Sequence, residues 1–436
     1  MLIAFLGNVR LFRRQILSKY NSIRGVYDIL PMEAEKWQFI ETAARKVFDD
    51  YGFSEIKIPI IEKSELFTRS IGEDTDIVEK EMYTFPDRKG ELISMRPEGT
   101  ASVVRAYVEH KMYASQSATK LYYVGPMFRY ERPQKGRRRQ FFQIGAEVLG
   151  LSDPAIDAEI ISMLFTFFDQ LGLEDLILNL NSIGCKECRP AFRTTLLSFL
   201  EDKIGQLCDN CQNRYEKNPL RVLDCKSKTC FEETKDAPSI LDSLCTCCSE
   251  DFEKVKTCLD MVDLKYNINP RMVRGLDYYT KTAFEVTSNR LGSQDAVAAG
   301  GRYDLLVEEV GGPPTPAIGF ALGMERLSLL LEEEDLSLKR CPDLYIAALG
   351  VLAHEAAFRL AHELRTHGIK VEFDHEGRSL KAQMRRANSL GCGYVLILGE
   401  DEIKTGRAIL KDMTNHGQEE IAWEGILSEM RTRMRG

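Results

Sequence analysis

The residues best suited to chemistry in this chain are arginines that stand far apart in the sequence. Arg129 lies with Glu131 in FRYERPQKGRRRQFFQIGAE (128–147), Arg274 in VRGLDYY (273–279) and Arg326 in AIGFALGMERL (317–327). Two further polar segments are SMRPEGT (94–100) and AAGGRYD (298–304). Neither GxxxxGK[ST] nor GxGxxG occurs, so a bound nucleotide must be held by side chains on a sheet and not by a glycine-rich helix start. Arginine suits that work, because its planar fork stays charged and grips a carboxylate or phosphate at two points. Activating a carboxylate with ATP brings two anions together at the α-phosphorus. Cations must therefore sit on both, with Mg²⁺ neutralising the remaining phosphate charge. Taken singly, each segment also fits a solvated, ion-paired face.

The elements around these residues read as α+β. Apolar Trp37, Ile40, Ala44, Val47 and Phe48 recur at helical spacing between Glu33 and Tyr51, and Gly52 follows as a stop. SEIKIPIIE (54–62) alternates like a strand, with Pro59 restricting it to an edge or an interface. MYTFPD, GELISMRPEGT, KLYYVGPMFRYERP and RRRQFFQIGAEVLG follow as strands joined by turns, giving an antiparallel sheet flanked by helices. Arg129 and Glu131 lie two apart on a predicted strand, so both point to one face, which Gln143, Gly145 and Glu147 on the return strand share by parity. A helix is predicted over 191–207, started by Pro190. It belongs to a cysteine-rich insertion at about 185–265, after which the strand pattern resumes at TAFEVTSN. Beyond the acidic run at 331–340, strands and helices alternate in a separate α/β domain at 342–436. The predicted domains are thus an extension (1–22), a first domain (23–335) carrying the insertion, and this last unit.

Composition narrows the function. With 58 basic and 66 acidic residues and a net charge of -8, the chain is not a nonspecific nucleic-acid coat. The stretch 129–139 is nonetheless cationic, with six arginines and lysines against Glu131 alone. No run is long and apolar enough to span a bilayer, so membrane partners are set aside. The first residues are basic and free of acids before Asp28, like an organelle-targeting helix. We read them as a ragged start of a cytoplasmic protein.

Ten of the twelve cysteines lie between 185 and 258, which in that compartment points to metal more than to disulfides. The helix predicted between Cys185/Cys188 and Cys208/Cys211 holds those couples too far apart for one zinc. Cys185 and Cys188 would then meet Cys225 or Cys230 instead, in a structural zinc site or as free buried thiols.

The motifs together resemble a family. FRYERP with its QFFQIGAE return strand resembles the second signature motif of class II aminoacyl-tRNA synthetases, and GFALGMERL the third. The helix ending near Tyr51 with the Pro59 strand looks like the first. RGLDYY, AAGGRYD and RPEGT resemble histidine-tRNA ligases within that class, over a similarity running from about Ile23 to the C-terminus. The resemblance implies a class II catalytic domain and a C-terminal anticodon-binding domain, in which Arg378, Lys381, Arg385 and Arg386 make a basic helix. It implies that L-histidine and ATP with Mg²⁺ form a histidyl-adenylate, which then charges histidine tRNA. By the same resemblance, Arg129 bridges the histidine carboxylate and α-phosphate, Arg274 neutralises charge at the α-phosphate, and Arg129, Glu131 and Arg326 bind ATP. Glu98, Thr100 and Gln143 would take the histidine amino group, with Gly99 also part of the histidine site. Glu147 and Tyr279 would grip the imidazole beside Tyr278, while Phe128 or Phe141 stacks near the adenine. Arg132 and Gln134 would meet the tRNA acceptor end. A homodimer is implied, with the Pro59 strand in its interface. Tyr130 and Phe142 replace two histidines of the commoner pattern, and all six histidines fall outside the motifs, so no protein histidine is expected as general base. A catalytically silent relative, such as the regulatory subunit of ATP phosphoribosyltransferase, lacks the anticodon-binding domain, and a pure RNA-binding module needs no such arginine set.

Overall fold

The computed structural model describes residues 20–72, 75–114, 118–134, 136–292, 295–331, 341–415 and 417–434. Residues 1–19 of the predicted extension, Lys135 of the basic loop, the acidic linker 332–340 and His416 lie outside them. The chain divides into two compact units, Met1–Leu336 and Ser337–Gly436.

The first unit begins with α1 (Pro31–Asp50), β1 (Ser54–Glu55), β2 (Ile61–Lys63), α2 (Ser64–Ile71), β3 (Tyr83–Pro86), β4 (Leu92–Met95) and α3 (Thr100–Glu109). The long hairpin β5 (Thr119–Phe128) and β6 (Gln140–Leu149), α4 (Ala155–Gln170) and β7 (Leu176–Ser182) follow. The insertion contributes α5 (Cys188–Glu201), α6 (Asp209–Lys217), α7 (Lys228–Glu233) and α8 (Thr246–Met261). The chain then returns through β8 (Asn267–Ile268), β9 (Thr280–Ser288), β10 (Ala296–Arg302), α9 (Leu306–Glu309), β11 (Ala317–Gly323) and α10 (Met324–Leu330).

Eight strands form one sheet in the order β1-β5-β6-β11-β10-β9-β7-β8, antiparallel except at its two edges, where β1 and β8 pair in parallel. Alternation of side chains divides its two faces. Ile144, Ala146 and Val148 of β6, Phe284 and Val286 of β9, and Ile318, Phe320 and Leu322 of β11 bury against α1, α4, α8 and α10. The opposite face carries the polar residues. At about 25 cal/mol per Å² of apolar surface, the packed face is what holds the sheet rigid under them. One charged pair is buried at the rim of this core. Arg302 at the end of β10 meets Asp157 of α4 at 2.8 Å, with both side chains at most 2% exposed, and its remaining N–H groups donate to the carbonyls of Leu151, Ser152 and Asp153.

Three sequence expectations are corrected. SEIKIPIIE is not one strand. Its ends, β1 and β2, join different sheets, and the Ile58 and Pro59 carbonyls between them accept from the buried Arg96 guanidinium instead of from a neighbouring strand. The helix expected over 191–207 begins earlier, at Cys188, and ends at Glu201 before a separate 3₁₀ turn, Ile204–Gln206. Pro190 is its third residue, a first-turn position where a missing N–H costs nothing. Finally, β5 ends at Phe128, so Arg129 and Glu131 lie just beyond the strand, although the Arg129 N–H still donates to the Arg139 carbonyl.

The second unit is a five-stranded sheet of order β13-β12-β14-β15-β16 with helices: β12 (Leu344–Ala348), α11 (Val351–Thr366), β13 (Val371–Phe373), α12 (Leu380–Leu390), β14 (Tyr394–Leu398), α13 (Glu400–Thr405), β15 (Arg407–Asp412), β16 (Gln418–Ala422) and α14 (Ile426–Arg433). The βα alternation was legible up to β14, and the closing antiparallel hairpin β15–β16 was not. Buried Gln383 ties α12 to β12 by donating to the Ala348 carbonyl and accepting from its N–H; Lys381, Arg385 and Arg386 are exposed on α12, while Arg378, expected on the same helix, lies before its start.

Candidate active site

A cavity of about 360 Å³ opens on the polar face of the large sheet. Its floor comes from the odd-numbered residues Phe141 and Gln143 of β6, Glu285 of β9, and Ala321 and Gly323 of β11. Arg129, Glu131 and Arg137 of the hairpin stand on one side. Arg274, Gly275, Leu276, Tyr278 and Tyr279 stand on another, and Glu98 and Thr100 close the end. Segments more than 200 residues apart in sequence thus meet because neighbouring strands of one sheet carry them.

Each arginine is held in place by the protein itself. The Arg129 Nε donates to the Pro97 carbonyl at 2.8 Å, and its guanidinium lies 5.3 Å from the centre of the Phe141 ring. The Arg274 Nη1 donates to the Glu285 carboxylate at 2.9 Å, while its Nε is buried with no partner among the described residues. Arg326 donates to the Gly136 carbonyl at 3.2 Å and the Ala296 carbonyl at 2.7 Å. Burial and the neighbouring Arg137 and Arg129 charges lower its pKa. The Gln143 Oε1 is likewise buried without a partner. Buried polar atoms left unpaired in a cavity wall are where a ligand's own polar atoms gain most.

At the end of the cavity, Glu98 accepts from the N–H groups of Thr100 (2.6 Å) and Ala101 (2.9 Å), capping the start of α3. Gly99 has a packing reason. A Cβ there would meet the Tyr123 ring at 2.3 Å, and so would one on Gly145, so the buried ring is slotted between two bare backbones. Below Thr100 runs a polar chain: the Thr100 hydroxyl donates to Glu147 Oε1 at 2.7 Å, and the Tyr303 hydroxyl donates to Oε2 at 2.5 Å. Burial pushes the Glu147 pKa up to about 8 against these two hydroxyls, so the carboxyl is protonated at neutral pH. Gly319, paired with Glu147 across β6 and β11, must lack a side chain, because a Cβ would come within 1.7 Å of Oε2. Tyr278 and Tyr279 pack against each other with centroids 4.8 Å apart, and both line the cavity.

Of the residues named from sequence, Glu98, Thr100, Arg129, Glu131, Gln143, Arg274, Tyr278, Tyr279 and Arg326 line this cavity together. Gly99 and Glu147 do not: Gly99 packs against the Tyr123 ring, and Glu147 is fully buried one layer beneath, behind Thr100. Phe141 lines the wall and Phe128 does not. Arg132 and Gln134 are exposed near the hairpin tip, where Gln134 and Arg137 exchange backbone hydrogen bonds around a tight turn containing Gly136 at φ 73°. Sequence reading missed Glu285, Tyr303, Asp224 and Lys226. An acid inside the apolar strand AFEVTS marks Glu285, Tyr303 sits inside the quoted AAGGRYD, and only proximity to Cys225 marks the last two. Among the described residues, no histidine lines the cavity.

Eight of the cysteines gather into two groups of four, Cys185/Cys188/Cys245/Cys248 and Cys208/Cys211/Cys225/Cys230. This corrects the expected pairing of Cys185 and Cys188 with Cys225 or Cys230. The α8 helix start brings Cys245 and Cys248 to the first couple, and the 208–211 couple turns back on 225–230.

The chain is similar to known proteins over most of its length. Residues 25–327 match the family model described as histidyl-tRNA synthetase, and residues 343–433 match the one described as an anticodon binding domain. The chain is 54% identical to the histidine–tRNA ligase of Syntrophotalea carbinolica, over 95% of this chain and 99% of that one. It is 56% identical to that of Geobacter metallireducens, over 92% and 96%. A crystal structure of apo S. aureus histidyl-tRNA synthetase superposes with a TM-score of 0.80 at 36% identity, covering 94% of this chain and all of that one.

Proposed function

The chain belongs to the histidyl-tRNA synthetase family, and from that premise we propose that the arginine-lined cavity is where L-histidine and ATP are joined. The activity is ATP-dependent ligation of L-histidine to its tRNA through a histidyl-adenylate, with release of AMP and diphosphate. The observation that carries the site is the convergence of Arg129, Arg274 and Arg326 on one cavity whose Arg274 Nε and Gln143 Oε1 are buried and unpaired.

In this reading, Arg129 holds the histidine carboxylate against the α-phosphate, and its bond to Pro97 fixes the fork's direction. Attack by a carboxylate oxygen on the α-phosphorus breaks the bond to the leaving diphosphate. Arg274 stabilises the charge that develops there, shared with Glu285. Arg326 takes the γ-phosphate end. Mg²⁺ arrives with ATP, and Glu131 and Glu285 are wall carboxylates able to take it. Glu98, Thr100 and Gln143 receive the ammonium, with Gly99 keeping the backbone close. Tyr279 meets the imidazole directly, whereas Glu147 acts on it from beneath through Thr100 and Tyr303. Arg132 and Gln134 receive the acceptor end of the tRNA, whose terminal hydroxyl displaces AMP from the adenylate, and the second unit reads the anticodon with its exposed basic helix α12.

We further propose a cytoplasmic homodimer, supported by Ile60, Ile61, Phe85 and Leu92, large apolar residues that stay 40 to 59% exposed on or beside the small sheet β2-β4-β3. Structural zinc in the cysteine-rich insertion belongs to the same reading. Histidine-dependent exchange of diphosphate into ATP, followed by charging of histidine tRNA, tests the function. Folded protein with neither activity refutes it.

A further inference from the structure

Resting on the proposal of zinc in the insertion and going beyond it, we infer that each cysteine tetrad holds its own zinc ion. The two ions brace, from opposite sides, the segment that carries Arg274.

The geometry fits one ion per tetrad. Four thiolates about 2.3 Å from a tetrahedral zinc lie about 3.8 Å from one another. The sulfurs of Cys185 and Cys188 are 3.6 Å apart, those of Cys185 and Cys245 3.9 Å, and those of Cys208 and Cys225 3.9 Å. Within each tetrad all four lie within 4.8 Å of one another. Disulfides would need about 2.0 Å, and an iron–sulfur cube would interpose iron and sulfide and spread the thiolates farther. Spacing agrees: C-x₂-C pairs with C-x₂-C in the first tetrad and C-x₂-C with C-x₄-C in the second.

Zn²⁺ displaces four thiol protons and leaves a unit of net charge -2, which the surroundings must offset. Cys188 opens α5, Cys245 and Cys248 flank the start of α8, and Cys208 and Cys211 flank the start of α6, so positive helix ends face both tetrads. Backbone N–H groups also aim at sulfur, from Cys245 to Cys188 and from Cys208 to Cys230, each at 3.2 Å. The insertion between Cys185 and Cys245 has only a small core of its own around Phe192, Leu196, Leu200 and Val222, the situation in which small folds rely on metal.

The tetrads are wired to the Arg274 segment. At its start, Arg271 donates to the Leu223 carbonyl at 3.2 Å and to the Thr234 hydroxyl at 2.6 Å, and that hydroxyl donates to the carbonyl of Cys230. Arg221 donates to the Gly275 carbonyl at 3.1 Å. Cys225 itself stands between Asp224 and Lys226, both in the cavity wall. At the far end, Arg189, next to Cys188, donates to the Tyr279 carbonyl, and the Lys281 N–H donates to the Gly184 carbonyl at 2.9 Å. The second tetrad thus holds the entry to this segment and the first its exit.

The test uses the full chain, purified without chelator and analysed for metals. Two zinc equivalents per chain are expected, with Cys211→Ser and Cys248→Ser each retaining one. Cobalt substitution should give the thiolate charge-transfer and intense visible bands of tetrahedral Co(II). Cys211→Ser should lower kcat/KM for histidine in the exchange assay about 10- to 100-fold, and Cys211→His, which restores a ligand, should recover both metal and rate. One equivalent or none in the unmutated chain overturns the inference, as does iron, and so does a Cys211→Ser chain that loses zinc while keeping its exchange rate. If the serine variants do not fold, the metal content and cobalt spectrum of the unmutated chain still decide. Exchange activity without zinc would sink this inference while leaving the synthetase reading intact, and two zinc ions without exchange would do the reverse.

Discussion

Replacing Glu147 with glutamine keeps the shape of the side chain and removes its titration. In the native chain, burial raises this carboxyl from 4.5 to about 8. Between those values the folded protein holds a proton that the unfolded chain has released, so stability falls as pH climbs through the window and levels off above about 8. At about 1.4 kcal/mol per pH unit, the full crossing amounts to about 5 kcal/mol. Some relaxation around the ionised group brings the expected change to about 3 to 5 kcal/mol. Glutamine pays none of this, but its amide buries two N–H donors where the protonated carboxyl has one O–H, a cost of about 1 kcal/mol. Glu147→Gln should therefore be less stable than the native chain at pH 5 and more stable at pH 9. Asp157 and Glu325 titrate in both proteins and cancel in the difference, whereas the Glu98 charge, which helps raise Glu147, is part of the effect measured. The chain has two tryptophans. A Trp423→Phe background leaves Trp37, packed against Phe142 at 5.0 Å, to report on the catalytic unit during urea unfolding. Parallel stability curves for the two proteins, within about 0.5 kcal/mol from pH 5 to 9, would refute the buried-proton account. If Glu147 also steers the imidazole, the same substitution lowers kcat/KM for histidine about 100-fold.

Arg274→Ala should cut histidine-dependent exchange at least about 1000-fold, because it removes a transition-state cation and leaves Glu285 as an uncompensated anion beside the phosphates, while the urea midpoint of the catalytic unit moves little. Gly319→Ala should destabilise that unit by about 3 kcal/mol or more in the same unfolding assay, since its methyl group would overlap Glu147 Oε2 and crowd the Ala146 carbonyl. Asp157→Asn breaks a buried ion pair but leaves Arg302 with Asp304 at 3.3 Å and its carbonyls, so the loss should fall near the lower end of the usual cost, about 3 kcal/mol. An unchanged melting curve would show that Asp304 alone suffices.

Much of the site was legible because strand alternation survives in three dimensions. Parity placed Gln143 on the polar face and Ile144 on the packed one, and the cavity keeps that division. Parity could not give depth: Glu147 shares the face of Gln143, yet Thr100 from α3 covers it. Nor could spacing along the chain pair the cysteines, since the partners of Cys185 depend on where α8 starts, 60 residues later. Pro59 signalled a broken ladder, but the partner that replaced it, the buried Arg96, comes from a motif that sequence assigned to the substrate. Tyr303 stayed without a role for a related reason: its value lies in a hydroxyl aimed at one carboxylate, and pattern does not encode aim.

The bond from Arg326 to the Gly136 carbonyl joins two ends of the reaction. Gly136 is at the tip of the basic hairpin, and Arg326 is the arginine assigned to the far phosphate. A tRNA that levers the tip outward must first loosen that guanidinium's seat, and a guanidinium drawn toward phosphate tugs on the tip. One hydrogen bond of 3.2 Å thus ties the hairpin tip to the cavity wall, and on the roles proposed for loop and guanidinium it links tRNA docking to the phosphate end of the site.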